Sequence, residues 1–211
     1  MQGKLITFEG IDGSGKSTQI KLLESEFEKR GIAYQTFREP GGTRLSEIIR
    51  DILLDKANIE LSSNAESLLF AAARGQLTSE QIKPAINRGK IVICDRFSDS
   101  TLAYQGYGRG VDVKNLQLMN KIATGDLNPD LTFILDIDPL LASDRRNAGK
   151  ADRMESSGAN FFIKIRQGYH QIAKENKSRC ILIDGEKSKL DISKEINEII
   201  IQRFNKELIC N

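Results

Sequence analysis

The sequence predicts an α/β protein built as a three-layer sandwich, in which a five-stranded parallel sheet carries helices on both faces. Short apolar segments alternate with amphipathic helical segments along the whole chain, a pattern typical of parallel sheets with helical crossovers. The apolar segments are continuous rather than alternating, as in strands buried on both faces. With 211 residues, the chain is long enough for one good-sized core, so we expect a single domain over residues 1–211.

The strands are predicted from these apolar segments, and the helices from the period of the segments between them. Helix 17–30 is expected to end at Gly31, a typical residue at a helix end. A long helical region over 64–87 is expected to be interrupted or to end near Pro84. The predicted strands are 4–9, 33–37, 91–94, 131–135 and 180–183; a helix is also predicted over 44–54, and a final apolar stripe contains Ile192, Ile196, Ile199, Ile200 and Phe204.

A glycine-rich loop joins the first predicted strand to the first predicted helix. Residues 10–17 read GIDGSGKS, which fits the phosphate-binding pattern G-x-x-x-x-G-K-S. Glycines let backbone N–H groups converge on phosphate oxygens, and the following helix adds its N-terminus. A glycine turn beside a chance lysine is the alternative, but the flanking segments favour a P-loop NTPase fold whose loop binds the phosphates of a nucleoside triphosphate, taken here as ATP. The predicted ATP ligands from the loop are Gly10, Ile11, Asp12, Gly13, Ser14, Gly15, Lys16, Ser17 and Thr18.

Three predicted strands end in an aspartate that is a candidate for a magnesium site: Asp95, Asp136 and Asp184. P-loop proteins hold Mg²⁺ with the loop hydroxyl and an acidic residue on a neighbouring strand. Asp95 is preferred because Arg96 follows it directly, although the two residues could instead form structural salt bridges. A capping role is favoured for the other two aspartates. The sequence therefore predicts Mg²⁺ at Ser17 and Asp95.

The chain contains more anion-binding residues than one nucleotide needs. Arg38 and Arg96 follow two predicted strands and would meet at the ligand edge of the sheet, where they suit a second phosphate; pairing with Glu39 or Asp95 is the alternative. Phe70 and Arg74 are four residues apart on one helix face, where a ring and a guanidinium could contact a base. Taken alone, that pair more simply describes a core phenylalanine beside a surface arginine.

Together these motifs resemble those of bacterial thymidylate kinases along nearly the whole chain. The matching segments are FEGIDGSGKST (8–18), REPGGT (38–43), LFAAAR (69–74), DRF (95–97), and AYQG (103–106) with GRG (108–110). The resemblance implies that ATP, with Mg²⁺, phosphorylates dTMP to dTDP in dTTP synthesis, and that the protein is a homodimer.

The resemblance also implies a role for individual residues. Phe70 would stack on thymine, Arg74 would bind the edge of the base, and Arg38 and Arg96 would hold the acceptor phosphate. Asp12 would lie near the acceptor sugar and the magnesium. Ser100, Tyr104 and Gln105 would line the base and sugar pocket, with Tyr169 beside it.

The same resemblance divides the family by the position of its catalytic cation. Some members carry an arginine in the phosphate loop at the place that Gly13 occupies here. The cation would then come from a lid at about 145–157, where Arg153 is the first choice and Arg145 or Arg146 would pack against adenine. A solvated run of charges is the alternative for this segment. The predicted catalytic residues are Lys16, Arg96, Arg153 and Asp12.

The composition of the chain bears on its binding partners and on its location in the cell. The net charge is +2 and no long apolar stretch is present, so we expect neither nucleic-acid nor membrane binding. Three cysteines without metal-like spacing favour a cytoplasmic protein without disulfides. Another nucleoside monophosphate kinase, a deoxynucleoside kinase, or a P-loop switch without a small acceptor stay open as alternatives. The two facing arginines favour an acceptor that already carries a phosphate.

Overall fold

The computed structural model describes residues 3–145, 152–154 and 157–204. The sheet has five parallel strands in the order β2-β3-β1-β4-β5, so the predicted α/β sandwich is confirmed. Each observed strand lies within one residue of its predicted ends. The strands are β1 (Lys4–Glu9), β2 (Tyr34–Arg38), β3 (Ile91–Asp95), β4 (Leu131–Asp136) and β5 (Cys180–Asp184).

The predicted helices are all present, and the structure adds α5 to α8, for which no helix was predicted. The long region before β3 differs in its detail from the prediction. That region is α3, then a π-helical turn over Thr78–Ile82, then α4. Pro84 lies in the first turn of α4, where a missing N–H costs little. The other bounds are α1 (Lys16–Lys29), α2 (Arg44–Leu54), α3 (Ser63–Leu77), α4 (Lys83–Asn87), α5 (Ser98–Thr101), α6 (Val113–Thr124), α7 (Pro139–Arg145), α8 (Ala159–Glu175) and α9 (Lys189–Phe204), with a second π-helical segment over Leu102–Gly108.

A hydrophobic core lies on each face of the sheet, and successive strand residues point to opposite faces. In β3, Ile91 and Ile93 pack in the core beneath α1 and α9. Val92 and Cys94 face the other layer, formed in part by α3 and α4. The predicted stripe of α9 is buried against the first of these cores, with Ile199 only partly covered.

The parallel register places the predicted site residues at one edge of the sheet. Asp95 pairs with Phe8 of β1 and with Arg38 of β2, so the phosphate loop that follows β1 lies beside both strand ends. The predicted lid, 145–157, falls mostly outside the described residues, and its extent stays a prediction. Of the helices that the structure describes, none has both the length and the apolar character needed to cross a membrane.

Candidate active site

The phosphate loop is held in shape by glycines with positive φ and by the close approach of α7. Gly13 has φ 87°, and a Cβ on this residue would collide with the backbone of Ala142. The loop therefore has no room at this position for an arginine side chain. Ser14 Oγ is buried close to Gly10 and has no hydrogen-bond partner in the part of the chain that the structure describes.

Lys16 is buried at the start of α1 and holds the first part of the loop. Its Nζ donates to the carbonyl oxygens of Gly10 and Ile11, at 3.1 Å each. Burial, helped by the nearby Arg96, lowers the pKa of Lys16, while Asp12 opposes the shift. An anion in the loop would stabilise the charged form of this lysine.

The larger of the two cavities at this edge opens over the loop and has a volume of about 810 Å³. Residues 12–18 line it, whereas Gly10 and Ile11 lie beneath and act through their bonds to Lys16. The cavity is rich in cations and therefore suits a polyphosphate. The cationic lining residues are Lys16, Arg38, Arg50, Arg96, Arg145, Lys187 and Lys189.

Ser17 and Asp95 are adjacent at the floor of this cavity. The Ser17 hydroxyl donates to Asp95 Oδ2 at 3.2 Å, and both side chains line the space over the loop. Hydroxyl and carboxylate oxygens are the donors that Mg²⁺ prefers, so this pair fits the predicted metal site. No compact group of three or more His, Cys, Asp and Glu side chains that could hold a metal occurs among the described residues, so a metal here would need ligand oxygens as well.

The other two candidate aspartates have structural partners. Asp136 accepts hydrogen bonds from Nε and NH2 of Arg166, at 2.7 and 2.8 Å, and lies 2.9 Å from Nε2 of His170. Burial alone would raise the pKa of Asp136, but the hydrogen bonds from Arg166 and His170 outweigh it and lower the value. Asp184 accepts a hydrogen bond from the backbone N–H of Glu186. These contacts leave Asp95 as the preferred metal ligand.

Arg96 is the central cation between the loop and the second cavity. Its φ is 71°, a left-handed conformation that is uncommon for a side chain of this size and typical of functional sites. It donates to Asp12 Oδ1 at 2.7 Å, to the Gly10 carbonyl at 2.9 Å and to the Tyr104 hydroxyl at 3.0 Å. Its side chain is thus aimed at the loop, and not at Asp95.

Arg38 lies across the cavity from the loop, beside an arginine that the sequence did not single out. Arg38 is half exposed and bound to both carboxylate oxygens of Glu47, at 3.1 Å each. Arg50, on α2, donates to the Pro40 carbonyl at 2.7 Å and lines both cavities. Burial and the nearby Arg38 lower the pKa of Arg50. Three guanidinium groups therefore face one space, and an anion there would relieve their repulsion.

The second, smaller cavity of about 100 Å³ adjoins the first and shares Asp12, Glu39, Arg50 and Arg96 with it. Phe70 is partly exposed and lines this cavity, whereas Arg74 is only 2% exposed. The simpler interpretation, a core phenylalanine beside a surface arginine, is therefore wrong in both parts.

Arg74 is fixed by four hydrogen bonds at the back of the small cavity. Its Nε donates to Glu39 at 2.7 Å, and its terminal nitrogens donate to Thr101, Asn120 and the Phe97 carbonyl. Burial raises the pKa of Glu39 to about 7, although Arg74 opposes the shift. Since a guanidinium has five N–H donors, one remains for a ligand. The Glu39–Pro40 peptide bond, left open by the sequence, is cis.

α5 and the π-helical segment that follows it supply another wall of the small cavity. Ser100, Tyr104 and Gln105 line the small cavity, and the π-helical segment carries the last two. Tyr169 does not line it. Its hydroxyl lies behind, 3.0 Å from Ser100 Oγ and 3.0 Å from the buried carboxylate of Glu9.

Glu9 is a second residue that sequence reasoning missed. Its carboxylate accepts from the Phe97 N–H at 2.8 Å and from the Ser100 and Tyr169 hydroxyls. Burial and the nearby Asp99 raise the pKa of Glu9 to about 7. A charged residue at the end of an apolar strand was the available signal. Glu9 and Tyr169 thus hold the wall of the site in place from behind.

The predicted lid arginines lie in different surroundings. Arg153 does not line the cavity over the phosphate loop; its NH1 pairs with the buried Glu66 at 2.7 Å and its Nε donates to the Leu53 carbonyl. The structure thus places Arg153 against a buried carboxylate and not over the phosphate loop, which differs from the expected placement. Arg145 does line that cavity and donates to the Gly185 carbonyl at 2.8 Å. Arg146 lies outside the described residues.

Comparisons with known proteins point to one family. A sequence model of the family described as thymidylate kinase matches residues 8–196. The chain is 46% identical to a thymidylate kinase of Thermoanaerobacter sp. (strain X514), over 95% of this chain and 98% of that protein. It is 47% identical to one of Caldanaerobacter subterraneus subsp. tengcongensis, over 93% and 94%. The crystal structure of thymidylate kinase from Ehrlichia chaffeensis superposes with a TM-score of 0.74 at 38% identity, covering 95% of this chain and 99% of that one.

Proposed function

The chain belongs to the thymidylate kinase family, and from this premise we propose that its two adjoining cavities hold the two nucleotides of the reaction. The protein is a phosphotransferase that phosphorylates dTMP to dTDP with ATP as the donor, in dTTP synthesis. One observation carries the assignment of the sites: the cavity over the phosphate loop and the smaller cavity share a wall of charged side chains. Two phosphates can therefore meet there.

ATP is assigned to the larger cavity. Its phosphates would lie on residues 10–18, with Lys16 at the outer phosphates and Arg145 beside the base. Ser17 and Asp95 would hold Mg²⁺, which when bound neutralises charge on phosphate oxygens. The position of the two possible metal ligands supports this assignment: Ser17 Oγ and Asp95 Oδ2 lie 3.2 Å apart on the cavity floor.

dTMP is assigned to the smaller cavity. Thymine would stack on Phe70 and receive a hydrogen bond from the remaining donor of Arg74. Tyr104 and Gln105 would enclose the sugar and the base, with Ser100 beside them. The 5′-phosphate would extend from this cavity towards Arg38, Arg50 and Arg96, which line the shared space.

Catalysis then rests on positioning and on charge. An oxygen of the dTMP phosphate attacks the γ-phosphorus of ATP, and the bond from that phosphorus to the β–γ bridging oxygen breaks. The attacking oxygen is already anionic, so no general base is required. Lys16 and Arg96 would neutralise the transferring group, with Asp12 orienting Arg96 through their 2.7 Å pair. In the part of the chain that the structure describes, Arg153 lines neither of the two cavities.

A panel of acceptors tests the function, and one substitution tests the base site. With ATP, we expect dTMP to be preferred over the other monophosphates, and thymidine itself not to be phosphorylated. Phe70→Ala should raise the KM for dTMP roughly 10- to 100-fold, because stacking on one base contributes about 1–3 kcal/mol, and should leave the KM for ATP nearly unchanged. Ile163→Ala, an exposed apolar residue on α8, is the control. Equal increases for both nucleotides would exclude a stacking role.

We also propose that two copies of the chain associate through α2, α3 and α6. These helices pack side by side, α2 on α3 and α3 on α6. They carry half of the exposed large apolar side chains of the described residues: Leu45, Ile48, Ile52, Leu68, Leu118 and Ile122. A patch of this kind is typical of an interface.

A cytoplasmic location is proposed on separate grounds. Cys94 and Cys180 are buried free thiols in the structure, which suits a reducing compartment.

A further inference from the structure

Glu66 is a buried carboxylate beside the acceptor cavity, and the mechanism above does not use it. It lies on α3, one helical turn before Phe70, and is 1% exposed. One carboxylate oxygen accepts from Gln105 Nε2 at 2.9 Å and from Arg109 Nε at 3.4 Å. The other pairs with Arg153 at 2.7 Å. Three side chains thus converge on a single carboxylate, and one of them, Gln105, reaches the cavity.

The chemistry of Glu66 decides how the amide of Gln105 is oriented. Arg109 and Arg153 both direct N–H groups at its oxygens, so the carboxylate serves as an acceptor of hydrogen bonds in this arrangement. The Gln105 amide must therefore direct its –NH₂ towards Glu66, because the reverse orientation would place two oxygen lone pairs against each other. The amide carbonyl is then the end available to a ligand in the cavity.

We propose that Glu66 is the positioning residue that sets the base preference of the acceptor site through Gln105. With its carbonyl towards the cavity, Gln105 accepts a hydrogen bond from a base that presents a ring N–H, as thymine and uracil do at N3. Cytosine presents a lone pair at N3 and meets repulsion. This inference rests on the proposed assignment of dTMP to the smaller cavity and adds a cause for its base selectivity.

Without a carboxylate at position 66, Gln105 has no fixed orientation. The two ends of an amide are nearly identical in shape, so a half-turn of the group costs little unless a neighbour distinguishes them. Glu66→Gln keeps the volume of the side chain and adds a donor that can bind the Gln105 carbonyl. In that variant Gln105 can turn its –NH₂ to the cavity and donate to cytosine N3.

The test is the ratio of kcat/KM for dCMP to kcat/KM for dTMP, measured with ATP in the wild type and in Glu66→Gln. We expect the ratio to rise about tenfold in the variant, as removal of one buried mismatch predicts. Preference for dTMP should decrease without inverting, since Arg74 still opposes the amino group of cytosine. A loss of folded protein would lower both values equally and leave the ratio unchanged.

Two further variants separate positioning from stability. Asp99→Asn also removes a buried carboxylate paired with an arginine, Arg179, but one that does not contact Gln105; its ratio should stay at the wild-type value. Gln105→Met removes both ends of the amide and leaves Glu66 intact, and its ratio should rise as in Glu66→Gln. An unchanged ratio in Glu66→Gln or in Gln105→Met would overturn the proposal. A wild type without preference for dTMP would instead refute the proposed function.

Discussion

Arg153 is bound to Glu66 and to the carbonyl oxygen of Leu53, and not to the phosphate loop. Its guanidinium is 9% exposed and paired with Glu66, which is 1% exposed. Arg153→Ala leaves that carboxylate with Arg109 and Gln105 only, so we expect the free energy of unfolding to fall by about 1–3 kcal/mol. We expect kcat to fall less than about tenfold, since no contact with the phosphate cavity is lost. Thermal unfolding and steady-state kinetics measure the two effects.

The control for this prediction is Arg30→Ala, which removes a surface pair with Glu26. Such pairs contribute about 0–1 kcal/mol, so the melting temperature should hardly move. If Arg153→Ala instead lowered kcat about a hundredfold at an unchanged melting temperature, Arg153 would act on the transferring phosphate, as the sequence had suggested.

Single residues were predictable where a motif fixes their spacing. Lys16 and Ser17 follow from the loop pattern, and the Ser17–Asp95 contact agrees with the choice among three aspartates. Arg50 was not predictable, because an arginine on an amphipathic helix most often faces solvent. The burial of Glu66 was not predictable either, because a carboxylate in the first turn of a helix is usually explained by its interaction with the helix dipole. Only the packing of α3 on the segment after α5 shows that it is buried.

At the scale of elements, the contact between the phosphate loop and α7 restricts residue 13. Gly13→Ala would place a Cβ against the Ala142 backbone in addition to straining a positive φ. We expect the Kd for ATP to rise at least about tenfold, because the loop must shift away from α7 or distort. Isothermal titration with ATP measures this.

Gly31→Ala is the matched control. Gly31 also has a positive φ, 67°, but a Cβ there would meet nothing within 4 Å. This variant should lose about 1 kcal/mol of stability through backbone strain and keep its affinity for ATP. Equal affinities in the two variants would show that the approach of α7 does not matter.

The elements were predictable to different degrees. All five strands were predicted, and the three over 91–95, 131–136 and 180–184 stand out as continuous apolar segments, whereas β2, YQTFR, is mixed in polarity. The π-helical segments were not predicted, since their hydrogen-bond pattern leaves no mark on the hydrophobic period. This matters for the site, because the segment Leu102–Gly108 carries Tyr104 and Gln105. Its residues were recognised from the motif and not from a helical pattern.

At the scale of the whole molecule, the proposed association of two chains gives a direct test. Leu118 and Ile122 are one turn apart on α6, with 58% and 74% of their surfaces exposed. We expect the wild type to have twice the 23.6 kDa mass of the chain, and Ile122→Glu to dissociate it, because a charge would be buried in the interface. Analytical ultracentrifugation over a range of concentrations measures the mass.

Ile59→Glu is the control for this experiment, since Ile59 is 85% exposed and lies outside the three helices. Its mass should equal that of the wild type. A wild-type mass of a single chain at all concentrations would contradict the proposed interface.

The overall α/β class was predictable from the alternation of strand-like and helical segments. The face that carries exposed apolar residues was not predictable, because an apolar stripe on a helix can pack either in a core or in an interface between chains.

In the proposed assignment of ATP and dTMP to the two cavities, the wall that the cavities share links the affinities of the protein for its nucleotides. Arg50, Arg96 and Asp12 belong to both sites, so a nucleotide in either one changes the electrostatic surroundings of the other. Thermodynamic reciprocity then requires that the factor by which ATP alters the dissociation constant of dTMP equals the factor by which dTMP alters that of ATP. A substitution in this wall therefore acts on a coupling free energy, and its effect is complete only when both ligands are titrated, each in the absence and presence of the other.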